Sequence, residues 1–260
     1  MNIARPLIQL VSWAILVSSV FLVKALAEDS TQNLSIAVGW SKPPYVIALN
    51  DTGYEVELAR QVFKRMGYSI TPVYVPYGRT LSMLKNAKVD AALTLSENTA
   101  TQTIHLTHSY IQYQNVAISL QSSNFKIKRP NDLANHSVAS FQTATKILGK
   151  AYADAIKQVP LYVELPDQRR QVGMLLNGSI SVLVMDVNIF NHLHSALEPT
   201  ESRQLVSIHN IFPPSHYHVG FLNSELKEQF NRALSDFQAS QAYEILVKKY
   251  HIFQEALSTH

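Results

Sequence analysis

Hydrophobic and polar positions alternate between two periods from about residue 30 to residue 250. Short runs rich in β-branched and aromatic residues are typical of strands, and stretches with apolar residues three or four positions apart are typical of amphipathic helices. In the helix predicted at 54–66, Leu58, Val62 and Met66 lie four residues apart, and Gly67 ends the pattern. The alternation is typical of βαβ units and predicts an α/β fold with mainly parallel sheets.

The same patterns give the bounds of the other elements. Strands are predicted at 34–40, 70–75, 89–95, 114–120, 137–141, 161–165, 180–185, 205–208 and 218–222. Helices are predicted at 79–85, 145–156, 168–176, 187–197, 225–238 and 242–250. The sequence shows neither a repeat of fixed period nor a linker rich in Pro, Gly or Ser. The polar stretch 121–132 near the middle therefore resembles a crossing between two lobes.

The first 27 residues have the three-part pattern of a secretory signal peptide. Arg5 gives a positive start, 7–23 is mostly apolar, and Ala25 and Ala27 place small residues at the −3 and −1 positions of a cleavage site. The alternative is an uncleaved membrane anchor, but polar residues interrupt the apolar run, which is shorter than the roughly 20 residues that span a bilayer. We therefore expect cleavage after Ala27 and a periplasmic location.

Composition narrows the classes of function. Hydrophobic residues make up 47% of the chain and charged residues 16%, which suits a packed globular protein rather than a disordered one. The formal charge is +3, and the loss of Arg5 and Lys24 with the signal peptide lowers it to +1. No cluster of Lys and Arg indicates a nucleic-acid surface. The absence of Cys excludes disulfides, thiol catalysis and cysteine metal sites.

Six short segments carry a resemblance to a known family. They are KPPY at 42–45, GYEVELA at 53–59, LSMLKNAKVD at 81–90, SVASFQTAT at 137–145, ISVLVMD at 180–186 and SQAYEILVKKY at 240–250. In this order and spacing they resemble the bacterial extracellular solute-binding proteins of family 3, the class that supplies polar amino acids to ABC importers. The resemblance extends over about 34–250, which is nearly all of the chain that remains after cleavage.

The resemblance implies a type II periplasmic binding fold, in which two α/β lobes are joined by two hinge strands, here near 114–120 and 216–222. Lobe 1 would combine 28–114 with 221–260, and lobe 2 would be 115–220. A small polar ligand, an amino acid or an amino-acid-like compound, would bind in the cleft, and the hinge would close around it. The protein would be a monomer without a cofactor, a metal or catalytic residues, and its partner would be the membrane subunits of an ABC importer.

The resemblance, together with polar and aromatic groups near strand ends, selects the candidate ligand-binding residues. Tyr77 takes the place of the aromatic residue that stacks on the ligand. Thr145 matches a hydroxyl donor of the second lobe, and Asp186 matches the acid that receives the ligand's amino group. Each has a structural alternative: surface packing for Tyr77, and helix N-caps for Thr145 and Asp186. The full set is Trp40, Tyr45, Tyr54, Tyr77, Arg79, Thr94, Ser96, Gln142, Thr143, Thr145 and Asp186.

One functional position of the family is changed in this sequence. The Arg that grips the ligand's α-carboxylate has no counterpart, because Ala100 falls at or near its place and no Arg occurs between Arg79 and Arg129. Arg79, at the start of a helix, is the nearest substitute, and its alternative role is an exposed first-turn residue. Because a bidentate Arg–carboxylate contact is among the strongest polar contacts, its loss favours a ligand with an amine and a weaker or differently placed acidic group.

Two other functions use the same fold. A dehydratase-like periplasmic enzyme would need acid and base groups, for which Glu55, Glu97 and Asp186 are candidates. A stand-alone sensory protein that reports to a membrane kinase would use the same closure as a transport protein. The sequence does not separate sensing from transport.

A metal site is a further alternative, since the chain has ten His residues. His192 and His194 face different ways on a predicted helix, and this makes them a poor chelating pair. His216 and His218 share one face of a predicted strand and could bind a metal together. Neither pair is accompanied by further ligands at a clear spacing.

Overall fold

The computed structural model describes residues 31–197 and 204–252. The predicted signal peptide, 1–27, and the outer ends of the predicted lobe 1, 28–30 and 253–260, lie outside these residues. Among the helices of these two segments, none is long and apolar enough to cross a membrane.

Eleven strands and eight α-helices are seen in the described residues. The strands are β1 (Gln32–Gly39), β2 (Tyr68–Val75), β3 (Ala91–Leu95), β4 (His105–Leu106), β5 (Ile111–Tyr113), β6 (Asn115–Leu120), β7 (Val138–Phe141), β8 (Tyr162–Leu165), β9 (Val182–Asp186), β10 (Val206–His209) and β11 (Ser215–Phe221). The helices are α1 (Tyr54–Arg65), α2 (Thr80–Lys85), α3 (Ala144–Ile147), α4 (Gly149–Ile156), α5 (Gln168–Leu176), α6 (Val187–Leu197), α7 (Ser224–Gln238) and α8 (Gln241–Lys249).

The strands form two sheets, and each sheet is the centre of one lobe. The first sheet has the order β2-β1-β3-β11-β4, with β5 paired to β11. The second has the order β10-β6-β9-β7-β8. Strand β1 runs parallel to β3, and β7 runs parallel to both β8 and β9. The sheets are mixed rather than mainly parallel, because β11 is antiparallel to its neighbours in the first sheet, as β6 is in the second.

The chain passes between the sheets twice. The first passage is at Gln114, between β5 of the first sheet and β6 of the second. The second lies at 210–214, because β11 belongs over its whole length to the first sheet. The predicted second hinge at 216–222 is therefore a strand of the first lobe. The lobe boundary predicted at 220/221 differs from this sheet membership, and we propose 210–214 in its place.

The helix predicted at 145–156 is two helices, α3 and α4. Gly149 has a φ of +83°, in the left-handed region that favours glycine, and this residue begins the second helix. Apolar periodicity continues across the break, so the hydrophobic pattern does not reveal it. The short strands β4 and β5 were not predicted either, because two or three residues are too few to show an alternating pattern.

Helix α1 ties the first lobe together. Its inward face is fully buried, and the ring of Phe63 packs against those of Phe221 and Phe230 at centroid distances of 6.0 Å and 5.3 Å. At its N-terminus the amides of Tyr54 and Glu55 donate to the carbonyls of the KPPY segment, at 3.0 Å and 2.9 Å. These bonds fix the KPPY segment against the start of α1.

Gly53, which caps α1, is required by this junction. Its φ is +118°, and a Cβ atom there would lie 2.3 Å from the backbone oxygen of Tyr45. We expect Gly53→Ala to lower the free energy of unfolding by more than the about 1–3 kcal/mol that backbone strain alone costs, because the new Cβ atom also overlaps the Tyr45 oxygen. Gly67→Ala is the control, because its φ is +86° but nothing lies within 4 Å of its Cβ position. Equal urea midpoints for the two variants would contradict the steric argument.

Candidate functional site

A cavity of about 80 Å³ lies between the two sheets, where β1, β3, β7, β8 and β9 end. The carboxyl ends of strands are where open α/β sheets bind ligands. The first lobe and its sheet supply Gly39, Trp40, Ser41, Lys42, Pro76, Tyr77, Thr94, Tyr113 and Tyr217. The second lobe supplies Asn115, Phe141, Gln142, Leu165, Pro166, Gln168, Asp186 and Ile189. Of the predicted residues, the cavity therefore brings together Trp40, Tyr77, Thr94, Gln142 and Asp186.

Aromatic side chains make much of the first-lobe wall. Trp40 follows β1 and is 57% exposed, so its ring is accessible to a ligand that enters the cleft. Tyr77 is held in place because its hydroxyl donates to the carbonyl of Thr94 at 3.2 Å. Ring faces of this kind stack on flat groups and attract cations. Stacking of Tyr77 on a ligand remains a prediction.

Two other predicted aromatic residues lie beneath the cavity surface and do not line it. Tyr54 is buried in the first lobe, with its hydroxyl 3.4 Å from that of Tyr243. Tyr45 is also buried, but its hydroxyl bridges the lobes: it accepts from Asn188 Nδ2 at 2.9 Å and donates to Asp186 Oδ2 at 3.3 Å. Tyr45 therefore acts on the site by holding Asp186.

Arg79 and Ser96 are also absent from the cavity wall. Arg79 ends a 3-10 turn and its side chain is exposed. Ser96 precedes another 3-10 turn, and its carbonyl accepts from the hydroxyl of Thr99 at 2.6 Å. Ala100, which the sequence resemblance puts at or near the position of the family's carboxylate-binding Arg, is exposed outside the cavity. Among the described residues, no arginine lines the cavity.

A buried ion pair forms the base of the first-lobe wall. Lys42 Nζ lies 3.0 Å from Glu55 Oε2 and donates to Thr94 Oγ1 at 3.0 Å. Glu55 is fully buried and also accepts hydrogen bonds from the hydroxyls of Thr94, Tyr110 and Tyr113. Burial raises the pKa of Glu55, but the charge of Lys42 and these hydrogen bonds outweigh it and hold the pKa below its ordinary value. The Glu55 carboxylate is therefore held in its ionised form, with its oxygens bound to Lys42 and three hydroxyl groups.

Thr94 lines the cavity and also contacts this ion pair. Its φ is +57°, an uncommon conformation for a β-branched residue. Its amide donates to the hydroxyl of Tyr110 at 3.0 Å, and its own hydroxyl lies between Lys42 and Glu55. Strained residues of this kind persist where the surrounding contacts fix them, and they cluster at ligand sites.

Asp186, at the end of β9, is the carboxylate of the second-lobe wall. Its Oδ1 accepts from the amides of Asn188 and Ile189 at 2.9 Å and 3.0 Å, which makes it the N-cap of α6. Its Oδ2 accepts from the amide of Gln114 at 2.9 Å and from Tyr45. Burial raises the pKa of Asp186 to about 7, although the hydrogen bonds favour the ionised form. The predicted cap and the predicted cavity position are thus both observed.

This shift predicts a pH dependence of stability. Because the pKa of Asp186 is raised by folding, the native state binds the extra proton between about pH 4 and pH 7, and stability falls as the pH rises through this range. We expect the unfolding free energy of wild type, relative to Asp186→Asn, to fall by up to about 1.4 kcal/mol per pH unit. Urea denaturation of both proteins across this range measures it. A difference that does not vary with pH would contradict the shift.

The predicted anion-binding turn is occupied by a side chain of the protein itself. Gln142 lines the cavity, but Thr143 and Thr145 do not. The amides of Thr143 and Thr145 donate to the two carboxylate oxygens of Glu164 at 2.8 Å and 3.1 Å, and the Thr145 hydroxyl donates to Oε1 at 3.0 Å. Burial raises the pKa of Glu164, but these bonds and one from Tyr162 outweigh it and lower the pKa overall.

Gln168 is a polar wall residue that the sequence analysis missed. It begins α5, and its Oε1 is buried with no hydrogen-bond partner among the described residues. The other missed wall residues are Gly39, Ser41, Lys42, Pro76, Tyr113, Asn115, Phe141, Leu165, Pro166, Ile189 and Tyr217. Most of these residues lie within a few residues of a strand end. This position is the feature of the sequence that could have identified them as wall residues. A buried acceptor without a partner is a group that a ligand donor can satisfy.

The described residues contain no group of three or more His, Asp or Glu side chains that could hold a metal ion. His194 is buried, and its ring stacks on Phe190 at a centroid distance of 5.0 Å. The Nδ1 of His218 lies 2.8 Å from the carbonyl of Thr107.

One known protein family matches most of the chain. Residues 34–254 match the sequence profile of bacterial extracellular solute-binding proteins, family 3. No curated protein matches the chain.

Three solved structures illustrate the structural similarity. A histidine kinase sensor domain with similarity to periplasmic binding proteins has a TM-score of 0.72 at 19% identity, with 86% of this chain and 97% of that chain covered. An ABC uptake transporter substrate-binding protein from Streptococcus pneumoniae with bound histidine has a TM-score of 0.69 at 16% identity, covering 85% and 93%. An ancestral amino-acid-binding protein, a precursor of cyclohexadienyl dehydratase, has a TM-score of 0.67 at 15% identity, covering 84% and 95%. At these identities the similarity confirms the fold.

Proposed function

Because this chain belongs to the bacterial extracellular solute-binding proteins of family 3, we propose that it captures a small polar solute between its lobes and delivers it to the membrane subunits of an ABC importer. One observation carries the proposal: a small cavity at the strand ends has walls from both sheets and contains the carboxylate of Asp186. A solute there contacts both lobes, so its binding favours the closed arrangement. The protein acts as a diffusible periplasmic monomer.

The arrangement of acidic groups favours binding without turnover. Glu55 is paired with Lys42, and Asp186 is held by backbone amides at the N-terminus of α6. Glu97, the third acidic candidate, is exposed and lies outside the cavity. A general acid and a general base have to reach the same bound molecule. Of these three carboxylates only Asp186 lines the cavity.

Thermal shift against amino acids, amines, organic acids and Zn²⁺ tests the binding function. A specific ligand is expected to stabilise the protein by about 2.7 kcal/mol at a hundredfold excess over Kd. Analysis of the recovered ligand by NMR is expected to show it unchanged. Failure of every class to stabilise the protein would overturn the binding proposal, and chemical conversion of the ligand would overturn the assignment as a binder.

Uptake of the labelled ligand separates transport from sensing. Cells that lack this protein are expected to lose high-affinity uptake and to regain it when wild type is restored. Unchanged uptake together with a lost kinase response to the ligand would replace the importer by a membrane kinase as the partner.

A further inference from the structure

The second-lobe turn that receives a carboxylate already holds one. Both oxygens of Glu164 accept backbone amides, from Thr143 and Thr145, and Oε1 accepts two hydroxyl groups as well. A carboxylate accepts about four hydrogen bonds, so Glu164 is saturated and the donors of the turn are used. A ligand carboxylate at this turn would have to displace Glu164 and leave it unpaired.

The pairing of β7 with β8 fixes Glu164 in this position. Ser140 pairs with Glu164 and Phe141 pairs with Leu165 in a parallel register. Phe141 and Leu165 are cavity residues, so Glu164 lies one step from the cavity wall, next to the turn that follows β7. The strand pairing therefore holds the backbone of Glu164 beside the turn, where its carboxylate reaches the turn amides.

The described first-lobe wall of the cavity has no free cation that could bind a ligand carboxylate in place of the turn. Lys42 is the only cationic residue among the described residues that line the cavity. It is paired with Glu55 at 3.0 Å, donates to Thr94, and lies 5.0 Å from the ring centroid of Tyr113. A ligand carboxylate that recruited Lys42 would leave the buried Glu55 without its counter-charge, which is costly.

The remaining polar groups suit a hydrogen-bond donor that carries positive charge. Among residues 31–197 and 204–252, the buried Asp186 has no cationic partner, and Gln168 Oε1 on the same wall has no hydrogen-bond partner. The aromatic residues Tyr77 and Trp40 line the cavity from the other lobe. Asp186 accepts four hydrogen bonds, of which the one from Tyr45 is the longest at 3.3 Å. An ammonium or guanidinium group replaces this bond, supplies the positive charge that Asp186 lacks, donates to Gln168 Oε1 and gains from the aromatic rings.

We propose that the cavity binds an organic cation that has no carboxylate: a primary amine or a guanidine. This inference rests on the proposed function and names its ligand class. Glu164 then acts as a built-in carboxylate that occupies the turn and discriminates against free amino acids.

Calorimetry with matched pairs tests the ligand class. The probes are ethanolamine and L-serine, histamine and L-histidine, and agmatine and L-arginine; the members of each pair differ only by a carboxylate. In at least one pair the amine is expected to bind at least about tenfold tighter, because the acid brings a carboxylate that finds no partner. Amino acids that bind as well as or better than their amines would overturn the inference and leave the proposed function intact. No binding by either member of any pair would overturn the inference, and the thermal shift against the other ligand classes would then decide the proposed function separately.

Glu164→Ala tests the role of the internal carboxylate. The variant is expected to gain affinity for the amino acid of the best pair by about tenfold or more, with its amine affinity unchanged. Acetate is expected to raise its melting temperature but not that of wild type, because the freed turn then takes up an added anion. Glu97→Ala, an exposed site outside the cavity, is the control. If Glu164→Ala folds and binds amino acids no better than the control, the proposed role of Glu164 is wrong.

Discussion

The Asp186→Asn variant is expected to bind the preferred amine at least about a hundredfold more weakly than wild type. Removing one partner of a buried ion pair costs about 3–5 kcal/mol, because the other charge stays buried and unpaired. The Asn side chain keeps an oxygen for the amides of Asn188 and Ile189, so the cap of α6 is retained. Calorimetry at pH 8, where Asp186 of wild type is ionised, measures the loss.

Asp132→Asn is the matched control for this substitution. Asp132 lies within the 3-10 turn Pro130–Asn135, its Oδ2 accepts from the amide of Lys128 at 2.9 Å, and it lies outside the cavity. The control is expected to bind as wild type does. If the Asp186 variant has a native circular dichroism spectrum and binds the amine with full affinity, Asp186 is only a helix cap.

The amine affinity of wild type is expected to depend on pH in a defined direction. An ammonium group binds the ionised form of Asp186, whose pKa in the free protein is about 7. The affinity therefore falls about tenfold for each pH unit below 7, and it is constant above about pH 8. Asp186→Asn removes the titrating group and flattens this profile. A wild-type affinity that rises as the pH falls would contradict an ammonium–Asp186 contact.

Lys42→Met is expected to lower the free energy of unfolding by about 3–5 kcal/mol at pH 7, because it leaves the Glu55 carboxylate buried without its counter-charge. The Met side chain fills similar space but donates nothing to Thr94 or Glu55. The double variant Lys42→Met with Glu55→Gln removes both charges and is expected to recover much of the loss. Urea denaturation of the two single variants and the double variant measures the coupling between the charges.

The pH dependence of the free energy of unfolding, compared between wild type and Lys42→Met, separates the effect of charge from the effect of packing. In wild type the pKa of Glu55 is lowered by folding, so its stabilising contribution is present above its unfolded pKa and is lost as the pH falls through the folded value. Without Lys42 the largest of the causes that lower this pKa is lost, so the dependence is expected to weaken. Lys150→Met, which removes an exposed ion pair with Asp154, is expected to leave the midpoint near that of wild type. A Lys42 variant as stable as this control would contradict the account of the pair.

The fold follows from the sequence because periodicity and motif order are local signals that tertiary packing reinforces. The structure has helices α1 and α5 where apolar spacing predicts them, and the family motifs imply the two-lobed arrangement. The assignment of β11 differs because the hydrophobic pattern of a strand does not say which sheet it joins. The break at Gly149 is hidden because the apolar stripe continues on both sides.

The site is harder to predict because the sequence does not separate a cavity wall from the core beneath it. Tyr45 and Tyr77 are both aromatic residues near strand ends, yet Tyr45 is fully buried and Tyr77 lines the cavity. In the sequence Lys42 is only one residue of the KPPY motif, because its pairing with Glu55 depends on this segment folding back onto α1. Such pairings are long-range contacts that no local pattern encodes.

The turn at Thr143–Thr145 is another feature whose long-range contacts the sequence does not reveal. The positions of Thr143 and Thr145 predict a turn that can bind a carboxylate, and this chemistry is what the structure uses. Glu164, 19 residues beyond Thr145, fills it only because β8 pairs with β7 in one register. The sequence thus predicts the carboxylate-binding turn but not the carboxylate that fills it.

A crystal structure of the protein with the tightest-binding amine of the three pairs tests the central claim most directly. The amine nitrogen is expected within hydrogen-bond distance of Asp186 and Gln168 Oε1, with Glu164 still bound to the turn. An amine bound outside the space between the lobes, or a ligand seated on the Thr143–Thr145 amides in place of Glu164, would contradict it.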